Sequence, residues 1–343
     1  MAGLPTGQRH QCRLAGAVAL AHLPAESTLT APQAGKSWPA LQVGALPAAS
    51  PLLTPAPIRY PLTAHFANGL TLVGYDLAPD RLDPGGALQL ITFWRNDRQD
   101  AGLAVDSFDL FAHLDLPDGQ TVQQNGGLGE GWPPERWQPG VVYDDVRIFA
   151  LPDGISAGRA DLVVGLYDPA SPVGAVRIGI VDGNGVVGAD QVLLGSVAVG
   201  AAPPQADLTG LTPVQATFEA RIDLLGYAVT PAADGGVMVD LAWQARDRSP
   251  SDYTAFAHLL DEAGTIISQQ DQPPGGDLPT TRWLPGETLR TTFTLPAPVA
   301  SAAGQTLRVG LYEPVSGRQL GVTTPGAAPA TYVLLPMRPE AAP

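Results

Sequence analysis

The chain has a single cysteine in 343 residues, Cys12, so an intrachain disulfide is impossible, and one thiol builds neither a zinc cluster nor an iron–sulfur site. Compartment therefore stays open on cysteine usage. Charge is scarce: only 15% of residues are charged, against a usual ~25%. What charge there is leans acidic, with 33 Asp plus Glu against 19 Lys plus Arg and a net charge of -14. That balance excludes neutralising a nucleic-acid backbone or an anionic membrane surface as the main task. Lys36 is the only lysine, which removes the phosphate-cradling loop that ends in lysine. Long apolar runs are missing too. Leu14 to Leu23 follows Arg9 and Arg13 in the manner of a signal peptide, but His22 interrupts it and no small-x-small cleavage site follows. It also falls short of the ~20 apolar residues of a membrane-spanning helix, so no direct membrane insertion by this chain is expected. A Gly-x-Ser-x-Gly elbow and a His-Glu-x-x-His helix are both absent. The residues point to no catalytic group, no metal and no cofactor, and the expectation is a protein that is not an enzyme.

Glycine and proline are abundant, at 39 and 35 residues, and apolar residues make up 45%. Such an excess of turn formers points away from helical bundles. From Pro24 to Pro61 prolines recur without a sustained period of 2 or 3.6, so residues 1–61 are expected to form an irregular or disordered Ala/Pro-rich leader. Beyond it the sequence repeats itself. Gly74-Tyr75 returns as Gly226-Tyr227, Trp94 as Trp243, and Phe111-Ala112-His113-Leu114 as Phe256-Ala257-His258-Leu259. Gln123-Gln124-Asn125 matches Gln269-Gln270-Asp271, Arg136-Trp137-Gln138-Pro139-Gly140 matches Arg282-Trp283-Leu284-Pro285-Gly286, and Val164-Gly165-Leu166-Tyr167-Asp168-Pro169 matches Val309-Gly310-Leu311-Tyr312-Glu313-Pro314. The offset shortens in steps, from 152 at the first glycine through 149 at the tryptophan to 145 or 146, as loop deletions would make it. Six motifs in one order imply a duplication.

Within each copy the period is that of strands. Leu-Gln-Leu-Ile-Thr-Phe-Trp (88–94), Val-Met-Val-Asp-Leu-Ala-Trp (237–243) and Leu-Arg-Val-Gly-Leu-Tyr (307–312) are short runs between turn signals such as Asp83-Pro84-Gly85-Gly86 and Asp234-Gly235-Gly236. The expected fold is all-β: two tandem antiparallel β-sandwiches, immunoglobulin-like or jelly-roll-like, with copy one at 62–200, a linker at 201–215, copy two at 216–336 and a tail at 337–343.

These motifs together resemble a β-sandwich module found, often in tandem, in the extracytoplasmic C-terminal regions of large bacterial membrane proteins of the dolichyl-phosphate-mannose-protein mannosyltransferase-like kind. The resemblance covers about residues 64 to 336 and is closer in copy two, which keeps Asp252-Tyr253-Thr254-Ala255-Phe256 and Pro279-Thr280-Thr281-Arg282-Trp283. Copy one has Gly131-Trp132-Pro133-Pro134 where the pattern prefers Pro-Thr. The resemblance implies an accessory or interaction module outside the membrane or at the cell surface. Its expected partner is a membrane glycosyltransferase-like protein or a glycan. The membrane helices and acidic catalytic loop of such transferases are not in this chain, so transferase activity is not carried over.

Individual residues leave alternatives open. His113 and His258 stand in both copies, and a hydrogen-bonded structural role is expected over metal binding, since no ligand sits at chelating spacing beside either. On a strand Phe111, His113 and Asp115 share one face, while Ala112 and Leu114 share the other, apolar one. Trp94 and Trp243 read as core. Trp137 and Trp283, which precede Pro-Gly turns, and Trp132, in a Gly/Pro loop, are the candidate carbohydrate-binding residues, because apolar sugar faces pack on aromatic rings. The alternative for all three is packing. Asp182-Gly183-Asn184-Gly185 with Asp190 reads as a plain turn rather than a calcium loop. Asp144 and Asp145 point to opposite faces of a strand and cannot share a substrate as glycosidase carboxylates do.

Overall fold

The computed structural model describes residues 12–14, 17–19, 57–98, 108–129, 134, 137–171, 174–232, 235–296 and 304–337. Among them there is no α-helix, and the fold is all-β. Two three-residue strands, β1 (Cys12–Leu14) and β2 (Ala17–Ala19), pair antiparallel within the leader region.

The first body is built from β3 (Tyr60–Phe66), β4 (Leu70–Ala78), β5 (Arg81–Leu82), β6 (Ala87–Asn96), β7 (Asp109–Asp115), β8 (Thr121–Gly127), β9 (Val142–Ala150), β10 (Gly158–Asp168), β11 (Val176–Ile178), β12 (Ile180–Val181) and β13 (Val192–Val199). The second comprises β14 (Thr212–Phe218), β15 (Ile222–Pro231), β16 (Val237–Ala245), β17 (Thr254–Leu260), β18 (Ile266–Gln272), β19 (Thr288–Leu295), β20 (Thr306–Tyr312), β21 (Val322–Thr323) and β22 (Val333–Pro336). One sheet of the first body runs β12-β3-β4-β6-β9, and the second body has β21-β14-β15-β16-β19 in the same places. The opposing sheets run β13-β10-β7-β8 and β22-β20-β17-β18, the first extended by β5, parallel to β13, and by β11 on β10. The strand order, which the sequence leaves open, is therefore the same in both copies.

The cause is visible along single strands. In β6, Leu88, Leu90, Thr92 and Trp94 are all buried while Gln89 between them is exposed; in β16, Val237, Val239, Leu241 and Trp243 go inward and Met238 outward. This period of 2 gives each sheet one apolar face, and the two faces close on each other. Two separate apolar clusters result, one between Tyr60 and Val199 and one between Ala216 and Met337. The elements cross the boundaries expected above at three places. Strand β3 opens at Tyr60 inside the expected leader, β14 opens at Thr212 inside the expected linker, and Met337 of the expected tail is 6% exposed in the second core.

On one side of each sandwich the edge strands of the two sheets are stitched by side chains, which blunts an exposed row of backbone donors and acceptors there. In the second body Gln272 Nε2 donates to Thr292 O at 2.8 Å and Gln270 Oε1 accepts from Thr294 N, joining β18 to β19. In the first, Arg147 of β9 donates to Gly127 O of β8 at 2.8 Å.

Candidate functional site

The motifs that the copies share resolve into packing devices. The tyrosine after Gly74 crosses its sandwich: Tyr75 Oη donates to Leu194 O on β13, and Tyr227 Oη donates to Pro336 O on β22 at 2.9 Å. These two strands hold corresponding places, so one hydroxyl ties sheet to sheet in each body. Burial pushes the Tyr75 hydroxyl up to about 12 and raises Tyr227 as well, which keeps both as donors. The glycine beside each tyrosine lies at a register shift between β3 and β4 or β14 and β15. At Gly74 φ is +153 and a Cβ would come 2.8 Å from Tyr60 O, so only glycine fits the close approach.

Phe-Ala-His-Leu and Val-Gly-Leu-Tyr are two halves of one arrangement. Phe111 pairs directly with Gly165 across β7 and β10, and Phe256 with Gly310 across β17 and β20. In each case the ring lies where a Cβ would stand on the glycine. Ala112, Leu114, Ala257 and Leu259 face the core, whereas Phe111 and Phe256 turn to the outer face and are covered there, each only 3% exposed. Arg177 caps the Phe111 ring at 4.4 Å.

The histidines share that outer face with the phenylalanines. His113 Nε2 meets Asn125 Oδ1 at 3.2 Å. His258 Nδ1 accepts from Arg308 Nη2 at 2.8 Å, and its Nε2 lies 3.7 Å from Asp271 Oδ1, while Tyr312 Oη donates to Asp271 Oδ2 at 3.1 Å. Burial lowers both histidines below the ordinary value; for His258 the Arg308 guanidinium adds to this and Asp271 opposes it. The neutral ring is therefore the favoured form. Each histidine bridges neighbouring strands of its own sheet, and the two are not brought together. Among the described residues no group of three or more His, Cys, Asp or Glu side chains is placed to hold a metal ion.

Of the two readings open for the candidate sugar-stacking residues, packing fits the two that the structure describes. Trp137 is 4% exposed and stacks on Tyr143 with ring centroids 4.6 Å apart and an interplanar angle of 9°. Trp283 is 1% exposed and its Nε1 donates to Leu278 O at 3.1 Å. A sugar needs an open aromatic face, and neither ring has one; the Pro-Gly turn that follows each folds the indole inward instead of presenting it. Trp132 lies outside the described residues. Trp94 and Trp243 are fully buried.

The acidic candidates are likewise occupied. Asp182 Oδ1 accepts from Asn184 N at 2.9 Å and Val186 N at 2.8 Å, which closes the turn and lowers the carboxyl's pKa. Asp145 is 2% exposed, pairs with Arg147 at 2.6 Å and accepts from Gly129 N at 2.8 Å.

Repeat reasoning missed a polar cluster where the two bodies meet. Arg282 Nη2 pairs with Asp161 at 2.5 Å, and Arg159 Nη2 pairs with Glu287 at 2.6 Å. Arg248, 2% exposed, donates through Nη1 to Ser196 O. Arg282 repeats Arg136, whereas Arg159, Asp161 and Glu287 are charged positions that the duplication does not repeat.

No known family profile matches the chain, and no curated protein matches it. Similar solved structures include pT26-6p, at 10% identity and a TM-score of 0.22 over 80% of this chain and 64% of that one. A DUF4785 family protein from Legionella pneumophila gives 14% identity and a TM-score of 0.21 over 77% and 57%. E. coli alpha-2-macroglobulin in its native conformation gives 9% and 0.22 over 80% and 14%. The chain spans less than two thirds of each of these proteins, and TM-scores this low carry neither fold nor function across.

Proposed function

We propose that this chain is a non-catalytic accessory or interaction module that works outside the cytoplasmic membrane, of the kind attached to membrane glycosyltransferase-like proteins. One observation carries the reading: the aromatic and glycine residues retained in both copies are spent on folding the sandwich. Tyr75 and Tyr227 tie the sheets, Phe111 and Phe256 cover Gly165 and Gly310, and Trp137 and Trp283 are buried. A duplicated scaffold whose repeated residues are consumed in packing is suited to spacing or presenting something else. The sequence resemblance supplies the site of action and the kind of partner. Trp137 and Trp283 are buried and give the carbohydrate-binding alternative no open ring, which leaves it resting on Trp132, outside the described residues.

The test is co-expression of the full chain with a membrane glycosyltransferase-like protein encoded beside its gene, followed by solubilisation and affinity purification, with a glycan array run in parallel. Co-purification at a fixed ratio and a silent array support the reading. Turnover of a sugar donor by the chain alone, or glycan binding without any protein partner, overturns it.

A further inference from the structure

We propose that the two sandwiches are locked as one rigid body by a joint in which Arg282, an arginine that repeats Arg136, meets charged residues found in one copy only: Arg159, Asp161 and Glu287. One side of the joint is the Arg-Trp loop of copy two and Glu287, just before β19; the other is the start of β10 and the middle of β13. Arg282 reaches Asp161 twice, Nη2 to Oδ2 at 2.5 Å and Nε to Oδ1 at 3.2 Å. Asp161 is held for this by Ser196 Oγ at 2.5 Å. Arg159 runs the opposite way, from the first body to Glu287 at 2.6 Å and to the carbonyl oxygen of Arg282. Glu287 is anchored in turn by Leu284 N at 2.9 Å. A third contact stands apart from these two: Arg248 enters from copy two and donates to Ser196 O, with its Nη2 3.8 Å from Asp80. The neighbouring Gly195 leaves just enough room, since a Cβ there would lie 3.2 Å from Arg248 Nη1 and 3.3 Å from Thr281 O.

Charge-assisted, paired contacts in both directions fix orientation as well as proximity. The chain between the bodies has no slack to undo them. Gly200 N is bonded to Leu82 O at 2.8 Å in the first body, and Pro204 O accepts from Thr288 N at 3.0 Å in the second, so three residues separate the anchors. Gln205 Nε2 donates to Gly286 O at 2.9 Å and Ala206 N to Thr288 Oγ1 at 2.6 Å, which lays the rest of the linker along copy two.

The repeat sets three of these charges, Arg159, Asp161 and Glu287, apart from the motifs that both sandwiches use. Carried forward by the offset of 145, Arg159 and Asp161 fall on Gly304 and Thr306; carried back by 146, Glu287 falls on Val141. These three charges occur in one copy only, and each makes a bond to the other body. The joint stands whether or not the chain has the accessory role proposed above.

The experiment is a pulsed-EPR distance measurement on the full chain with spin labels at Gln120→Cys and Val315→Cys, in a Cys12→Ser background. The expected result is a single distribution no wider than the label rotamers allow, broadened by Arg282→Asp and narrowed again by the charge swap Arg282→Asp with Asp161→Arg. Should the single reversal unfold the chain by circular dichroism, Asp161→Asn replaces it with the same expected broadening. A broad distribution in the parent chain, or a width unmoved by folded joint variants, overturns the proposal.

Discussion

Phe256 lies across the strand pair from Gly310, its ring over bare backbone on the outer face of the sheet, and Phe111 stands in the same relation to Gly165. Neither glycine has a positive φ, so turn geometry does not require it. What requires it is the ring, which covers a glycine that would otherwise leave strand backbone bare to water.

Adding one methyl group therefore tests the arrangement. Gly310→Ala pushes its Cβ into the Phe256 ring, and overpacking of this kind costs about 1–3 kcal/mol. A urea titration is expected to show a lower midpoint with an unchanged slope. Gly310→Ala combined with Phe256→Ala should cost less than the sum of the two single changes, because the collision is gone.

The tryptophans before the Pro-Gly turns give a second prediction, one that separates packing from recognition. Trp283 is 1% exposed, and truncation of a buried tryptophan costs about 3–5 kcal/mol. Trp283→Ala should appear first as lost stability in chemical denaturation. If it instead left the unfolding curve in place and abolished binding to some glycan, the burial-based account of that ring would fall.

How much of this was legible in the text depends on what repeats. Alternation in Leu88–Trp94 and Val237–Trp243 gave the strands and their inward faces, and the paired motifs gave two copies. Strand order was not legible, because pairing between distant segments leaves no local pattern. The choice between packing and stacking at Trp137 and Trp283 stayed open for a related reason. Their Pro-Gly neighbours signal a loop, and only the tertiary path of that loop decides whether its indole turns in or out. The joint charges were invisible in a different way: Arg159, Asp161 and Glu287 have no counterpart in the other copy, so motif matching passed over them.

The core tryptophans give a third prediction from a difference between the copies. Trp94 Nε1 donates to Thr92 Oγ1 at 2.7 Å, while Trp243 Nε1 is buried and finds no acceptor among the described residues. Two positions earlier copy two has Leu241 where copy one has Thr92. Replacing either indole by a phenyl ring removes similar volume, but only Trp94→Phe also breaks a hydrogen bond and strands a buried hydroxyl. Trp94→Phe is expected to cost about 1 kcal/mol more than Trp243→Phe. Equal losses in urea unfolding would count against the Thr92 contact.

The histidines predict a pH dependence whose sign follows from burial. Both His113 and His258 have folded-state values lowered from the ordinary one, chiefly because burial disfavours the charged ring. The unfolded chain titrates near 6.5, so between that value and the lower folded-state value it binds more protons than the folded one. Stability contributed by the neutral rings is thus complete above the unfolded value and is lost as the pH falls through the window below it. Unfolding free energy measured in urea should decline from pH 7.5 to pH 5. The double variant His113→Gln with His258→Gln should flatten that decline. Lowered carboxylates such as Asp97 and Asp240 act in the same direction but further into acid, below the ordinary carboxylate range, so the two contributions separate along the pH axis. A parent profile that stays level from pH 7.5 to pH 5, or a double variant as steep as the parent, would show that the outer-face histidines are not held neutral by the sheet.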